Sequence, residues 1–273
     1  MKKGKLYIIP TPIGNLGDIT LRSIEILQKV AIIGAEDTRT SAKLMKHFKI
    51  ETQLFSYHKF NERSRVEKIL NHLNNGEDVA IISDAGTPGI SDPAEIIIKE
   101  VLNNKFDVEA LPGAAAFVPA LVASGLDCKQ FFFAGFLPEK ETEKTELLES
   151  ISKLKSTLIF YEAPHRIIKT IKYLHENLGD RNSVIARELT KIHETYYRCK
   201  FSEFLSNPDK ITMKGEFILL VEGARAVELS DDVLLEMLKT EIDKGISKKE
   251  AVKKISSEAK EPRNRIYALS LKL

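Results

Sequence analysis

Five short apolar runs alternate with segments of helical spacing over the first 111 residues, and this alternation is the strongest constraint on the fold. The runs are Lys5–Ile9, Val30–Gly34, Thr52–Phe55, Val79–Ile82 and Val108–Leu111. Between them lie Thr20–Lys29, Thr38–Phe48, a stretch from Asn61 to about Asn74, and one from about Pro93 to Asn103. Such regular, short connections favour a parallel sheet with helices packed against it. The runs lack polar alternation, as expected of strands covered on both faces. Leu44 and Phe48 share one helical face, and so do Val66, Ile69, Leu70 and Leu73, which gives these helices an apolar side to bury. Asn61 is placed to cap the third helix, and Pro93 to occupy the first turn of the fourth.

The same grammar restarts after Gly125. Phe131–Ala134, Thr157–Tyr161 and Ser183–Ala186 read as strands, and Lys144–Leu154 and Pro164–Asn177 as helices. Thr195–Cys199 and Glu216–Val221 read as an antiparallel pair, which makes the second sheet mixed. The expected fold class is therefore α/β, with two α/β domains, a parallel sheet first and a mixed sheet second, plus a short C-terminal helical region. The expected boundaries are 1–118, 119–224 and 225–273. In the last segment Ser230-Asp231-Asp232 can start a helix. Ser247 with Glu250 matches a capping box, and Pro262 ends that second helix or begins a third.

Composition narrows the class. The chain has 273 residues, of which 43% are hydrophobic and 29% charged. That suits a globular protein with a core needing no disulfide or metal staple. No run approaches the roughly 18 apolar residues of a transmembrane helix, so no membrane partner is expected. Cys128, Cys199, His58, His165 and His193 show no ligand spacing, so no metal site is expected. The basic start at Met1-Lys2-Lys3-Gly4 leads into a run broken by Pro10 and Pro12. It reads as a first strand rather than a signal peptide, and a cytoplasmic location is expected. The net charge of +2 hides an asymmetry: Lys244–Leu273 carries nine Lys/Arg against three Glu, leaving the remainder at −4. A basic tail on a mildly acidic body suits nucleic acid. A solvated helical face, or a helical appendage packed on the second domain or a partner subunit, is the alternative.

Ligands of parallel α/β sheets bind beyond the carboxyl ends of the strands. Four loops fall there: Pro10–Asp18, Gly34–Arg39, Ser83–Pro93 and Leu111–Ala116. None carries a Gly-x-Gly-x-x-Gly, a Gly-Lys-Ser/Thr or a Gly-x-Ser-x-Gly element. They offer backbone amides, small side chains and a few carboxylates. This suits an adenosine cofactor with a zwitterionic end better than a pyrophosphate. The structural alternative gives Pro12 and Gly14 a turn, lets Asp84 and Thr87 cap local amides, and lets Gly113 ease a strand-to-helix connection.

These loops also carry a resemblance. Pro10-Thr11-Pro12-Ile13-Gly14-Asn15-Leu16 with Asp18-Ile19-Thr20 is similar to the opening signature of the bacterial 16S rRNA ribose 2'-O-methyltransferases. Ala35-Glu36-Asp37-Thr38-Arg39, Ser83–Pro88 with Ser91-Asp92-Pro93, and Leu111-Pro112-Gly113 with Ala123-Ser124-Gly125-Leu126 resemble their next motifs in order. Gly135-Phe136-Leu137-Pro138, Phe160–Arg166, Ala186–Lys191 and Lys214-Gly215-Glu216 complete the set. The wider group is the class III, tetrapyrrole-methylase-like methyltransferases. Thr87 departs from the porphyrin-type loop but agrees with the rRNA branch, whereas Ala94 and Ala115 depart from that branch by other small residues.

The resemblance implies S-adenosylmethionine in a cleft between the two domains, a homodimer, and ribose methylation of the decoding-centre cytidine 1402 of 16S rRNA, within the 30S subunit. It implies that Ala85, Gly86, Thr87 and Ile90 contact the cofactor, that Ala115 and Ala116 supply backbone contacts, and that Pro12 shapes the floor. Glu162 and Ala186 would face the cleft from the second domain. For proton handling the motifs offer Asp37 and Glu36 as catalytic candidates, with Glu188 in reserve. Their alternative is structural, as Glu36–Arg39 and Arg187–Glu188 ion pairs. Arg39, Arg166, Arg187, Lys191 and Lys214 are candidates for the RNA backbone. The rival functions are methylation of a tetrapyrrole precursor, non-catalytic RNA binding in assembly, and a dimerising scaffold.

Overall fold

The first five apolar runs become β1 (Lys5–Ile8), β2 (Ile32–Ala35), β3 (Gln53–Ser56), β4 (Val79–Ile82) and β5 (Asp107–Ala110). All pairings among them are parallel, in the order β3-β2-β4-β1-β5. This computed structural model describes residues 3–225, 229–259 and 261–273. Helices α1 (Leu21–Lys29) and α2 (Thr38–His47) cover one face, where Leu27 and Met45 pack with Ile33, Ala80 and Ile82. Helices α3 (Glu62–Asn74) and α4 (Glu95–Asn103) cover the other, where Ile69, Leu73, Ile97 and Val101 pack with Leu6, Val79 and Ile81. Successive residues of β4 thus enter opposite cores, and all four are buried. That is why the run shows no polar alternation.

Two local expectations fail, the first through a competing bond. Asn61 stands at the N-cap of α3, but its Oδ1 accepts from the His58 N–H at 2.8 Å and makes no cap bond. Pro93 lies before α4, whose N-cap is Ala94.

The second half forms β6 (Phe131–Phe136), β7 (Thr157–Glu162), β8 (Asn182–Arg187), β9 (Thr195–Lys200) and β10 (Phe217–Val221), in the order β6-β7-β10-β8-β9. Only β6 and β7 pair in parallel. The expected pairing of β9 with β10 is not made: β8 lies between them, antiparallel to both. Burial explains the order. All of β10 is buried and takes a central place, whereas β9 has no buried residue and takes an edge. Helices α6 (Glu141–Ile151), α7 (Ile167–Leu178) and α8 (Phe201–Ser206) pack on one face through Leu148, Ile171 and Phe201. The opposite face packs against α5 (Phe117–Val122) and, through Val184, Ala186 and Ile218, against Ile13 of the first loop. Both sheets lie in one unit that ends at Ala224.

Arg225–Leu273 forms a unit of its own. Its helices are α9 (Asp231–Asp243), α10 (Lys248–Glu258) and α11 (Arg263–Ser270). Leu234, Leu238, Val252, Ile255, Ile266 and Leu269 make its core. Ser230 and Ser247 cap α9 and α10 by accepting from the N–H groups of Val233 and Glu250. Pro262 sits at the N-cap of α11 and so begins a third helix. Among the described residues no helix is long and apolar enough to cross a membrane.

Candidate active site

The loops beyond the first sheet are tied to one another by their own polar groups. Thr11 and Gly86 exchange two N–H···O bonds of 2.9 Å. The Thr11 hydroxyl donates to the Ser83 carbonyl at 3.0 Å, and the Thr87 hydroxyl to the Ala114 carbonyl at 2.9 Å. The Asp37 N–H donates to Asp84 Oδ1 at 3.0 Å. Asp84 and Thr87 do bond backbone groups, as the structural alternative held, but the groups belong to neighbouring loops. Gly113 serves the same convergence: a Cβ there would stand 2.7 Å from Pro10 Cβ, so the first and fourth loops approach this closely only across a glycine. In the third loop Gly86 and Gly89 have φ of 82° and 88°. Ser91 has φ of 68°, a conformation few non-glycine residues adopt.

These loops and one face of the second sheet enclose a cavity of about 400 Å³. That lies within the roughly 300–1,000 Å³ of small-molecule sites. Eight of the nine positions expected at a cofactor line it: Ala85, Gly86, Thr87, Ile90, Ala115, Ala116, Glu162 and Ala186. Pro12 is not among the lining residues; its neighbour Ile13 is, buried against the second sheet. Sequence reasoning gave no role to Asp92, Tyr161, Leu189 or Ile218, which also line the cavity. For Asp92 the signal was present in the Ser91-Asp92-Pro93 motif. For Tyr161 and Ile218 it was a strand register that only the fold supplies.

The charged candidates separate by environment. Glu162 is 3% exposed. Its oxygens accept from the Ala163 N–H at 2.8 Å and the Thr170 hydroxyl at 2.6 Å, and it forms an ion pair with Arg166 Nε at 3.2 Å. It therefore braces the end of β7 against α7 while contributing negative charge to the cavity wall. Glu36, Asp37 and Glu188 do not line the cavity. Asp37 caps α2 and holds Arg39 through two side-chain bonds of 3.1 and 2.7 Å. That pairing with Arg39 brings its carboxyl down to about 2. Glu188 accepts from Lys191 and from the Glu216 N–H, both at 2.9 Å, and the Lys191 bond lowers its carboxyl most. Burial raises Glu36, opposed by a bond from the Asp84 backbone.

The ion pairs thus differ from those expected: Arg39 takes Asp37 rather than Glu36, and Glu188 takes Lys191. Arg187 is 7% exposed and donates to the carbonyls of Lys214 and His193. It is a strut between loops, and the expectation that it meets an RNA phosphate falls with its burial. Arg166 is held by Glu162 and by the Leu137 carbonyl at 2.6 Å.

Comparison with known proteins agrees with this architecture. Residues 5–205 match the family described as Tetrapyrrole (Corrin/Porphyrin) Methylases. The chain is 41% identical over 274 aligned positions to the ribosomal RNA small subunit methyltransferase I of Synechocystis, covering 99% of this chain and 98% of that protein. Among solved structures it resembles a diphthine synthase, with a TM-score of 0.65 at 11% identity, over 81% of this chain and 90% of that one. It also resembles the uroporphyrin-III C-methyltransferase of Thermus thermophilus complexed with S-adenosyl homocysteine. There the TM-score is 0.55 at 17% identity, over 80% of this chain and 97% of that one. The chain belongs to the tetrapyrrole methylase family, in the branch of the ribosomal RNA small subunit methyltransferases I.

Proposed function

We propose that this protein uses S-adenosylmethionine to methylate the ribose 2'-hydroxyl of cytidine 1402 of 16S rRNA, in the cytoplasm and on the 30S subunit. The observation that carries the reading is the cavity itself. Loops that bear the rRNA-branch motifs meet at one place, bonded to each other, and wall a space of cofactor size. The lining residues fit the donor: Ile13, Ile90, Leu189 and Ile218 offer apolar surface, while Gly86, Ala115 and Ala116 leave backbone groups approachable. Bound there, S-adenosylmethionine supplies an electrophilic methyl group and a thioether leaving group. The chain's own work is to hold the donor rigidly, exclude water and align the ribose oxygen. Such positioning can supply much of the acceleration of a two-substrate displacement. The bonds among the loops serve that rigidity.

The RNA contacts belong to the rims and to the basic last unit. Lys248, Lys249, Lys253 and Arg263 are exposed there, and Arg39 is exposed beside the second loop. A folded ribosomal particle presents such a surface with shape as well as charge. The protein acts as a homodimer, a reading supported by the exposed apolar side chains of Val118, Val122 and Phe131.

Methyl transfer from labelled S-adenosylmethionine to 30S subunits lacking the modification tests the proposal. The expected product is a ribose-methylated cytidine at the decoding centre, mapped by mass spectrometry of nuclease fragments. Label on uroporphyrinogen instead would overturn it. A second expectation concerns the helical unit. Because α9–α11 share one core, the informative truncation falls after Ala224. It should weaken RNA binding about tenfold or more and flatten its salt dependence by about 0.7–0.9 for each phosphate that the truncated protein no longer neutralises. Cofactor affinity should stay within about threefold. Equal weakening of both would make the unit structural.

A further inference from the structure

Three carboxylates line the cavity, and two of them are committed elsewhere. Glu162 accepts from two protein groups and is ion-paired to Arg166. Glu216 is 72% exposed and paired with Lys191 at 3.1 Å. The third, Asp92, is half-buried and lines the cavity in the same loop as Gly86 and Thr87. It follows Ser91, whose left-handed backbone is strained for a residue with a Cβ. Strain of this kind persists where the surrounding structure enforces it, as at active sites.

We propose that Asp92 is the catalytic residue that accepts the proton of the ribose hydroxyl during methyl transfer, and that Glu36 tunes it from outside the cavity. The inference rests on the functional reading above. In the step, the ribose oxygen forms a bond to the methyl carbon while the carbon–sulfur bond breaks and its electron pair stays on sulfur. The hydroxyl proton passes to the Asp92 carboxylate. The products are the 2'-methyl ether, S-adenosylhomocysteine and a neutral Asp92, which then returns its proton to solvent.

Two carboxylates near Asp92 suit that role. Glu36 enters from the loop after β2 and Asp84 from the loop after β4, and both oppose a second negative charge. Tyr161, on β7, is half-buried and pushed up to about 12, chiefly by that burial, so it stays protonated and adds no charge. The nearby Ser83 hydroxyl acts in the opposite sense. Beyond them, His58 faces Glu36, and Asp37 with Arg39 faces Asp84. Burial first, then Glu36, then Asp84, push Asp92 up to about 7. A carboxylate so raised is a stronger base than an ordinary one and is still largely ionised just above neutrality. Glu36 and Asp84 thus make an electrostatic setting for one carboxylate.

The sign of the pH effects follows. The rate should rise with pH through about 7 as Asp92 ionises. The folded protein binds this proton more tightly than the unfolded chain. The site therefore costs stability once pH exceeds the ordinary carboxylate range, and the full cost is reached above the raised value. Asp92→Asn should leave the protein as stable as wild type or more so at about pH 8, which separates a catalytic loss from unfolding.

The experiment is single-turnover methylation of unmodified 30S subunits between about pH 5.5 and 9, with cofactor affinity measured by calorimetry. Asp92→Asn should lower the rate about 100-fold or more and abolish the rise through neutrality, with affinity within about threefold of wild type. Glu36→Gln should move the midpoint to lower pH, because it removes the strongest like-charge neighbour, and should lower the plateau rate by less than about tenfold, as a somewhat weaker base would. An Asp92→Asn enzyme within about threefold of wild-type rate, with the profile unchanged, overturns the proposal. A Glu36→Gln enzyme as slow as Asp92→Asn also overturns it and makes Glu36 the acceptor. A wild-type product methylated on a base rather than on ribose overturns the functional reading itself, and is recognised before any variant is compared.

Discussion

Ala186→Phe should abolish S-adenosylmethionine binding and leave the fold in place. Ala186 is fully buried on β8 and held by neighbours on both sides, opposite Ile218 of β10 and Tyr196 of β9. Its side chain shares a strand face with Val184 and lines the cavity. A benzyl group at this position enters a space of about 400 Å³ from a strand that has no freedom to withdraw it. Overpacking a filled core costs about 1–3 kcal/mol, but here the empty space absorbs part of that. At a ligand concentration about one hundred times the dissociation constant, wild type should gain about 2.7 kcal/mol of stability. The variant should gain none, and calorimetry should show binding weakened at least about a hundredfold. Affinity within about threefold of wild type would place the donor outside this cavity.

Glu162→Ala should be the most destabilising single change at the site. The carboxylate has no exposed side-chain surface, and its removal leaves the Thr170 hydroxyl and the Ala163 N–H without their acceptor and takes one of two carboxylates from Arg166, which keeps Glu139 and the Leu137 carbonyl. Breaking one side of a buried pair costs about 3–5 kcal/mol. Arg166 keeps 23% of its side-chain surface in contact with solvent, so the lower end, about 3 kcal/mol, is the expected value. For a domain of this size that is a fall of roughly 6–12 °C in melting temperature. Glu162→Gln should lose less, because the amide oxygen still accepts from the Ala163 N–H and the amide NH2 can donate to the Thr170 hydroxyl oxygen. Chemical denaturation checks both. A loss below about 1 kcal/mol for Glu162→Ala would mean that the end of β7 is held by packing alone.

What the sequence made legible follows the reach of each interaction. Strands such as Val79–Ile82 declare themselves, because burial on both faces removes polar residues from the run itself. The Ser230 and Ser247 caps were readable because their partners lie three residues away. Asn61 misled for the same reason inverted: a competing bond to the His58 N–H was equally local and prevailed. The Arg39 pair shows how fine the distinction is. Asp37 is the cap of α2, and Arg39 folds back onto it within the first turn, which spacing alone does not separate from pairing with Glu36. The order of β9 and β10 needed a comparison of burial across the whole second sheet. Asp92 needed more still. Its motif was visible, but the field on it comes from Glu36 and Asp84, which topology brings together from separate strand ends.

The place of β1 in its sheet sets a schedule for synthesis. Lys5 meets Asp78, 73 residues later, and Glu109, 104 residues later. At a synthesis rate of roughly 5–20 residues per second, the first strand therefore waits on the order of ten seconds for its partners. Until then its apolar residues depend on transient company, and the sheet closes only when β4 and β5 leave the exit tunnel. Contacts this distant make for slow folding. A nascent chain that is overtaken at this stage exposes the edges of β2 and β1 together, which makes roughly the first 110 residues the stretch on which holding chaperones have the longest time to act.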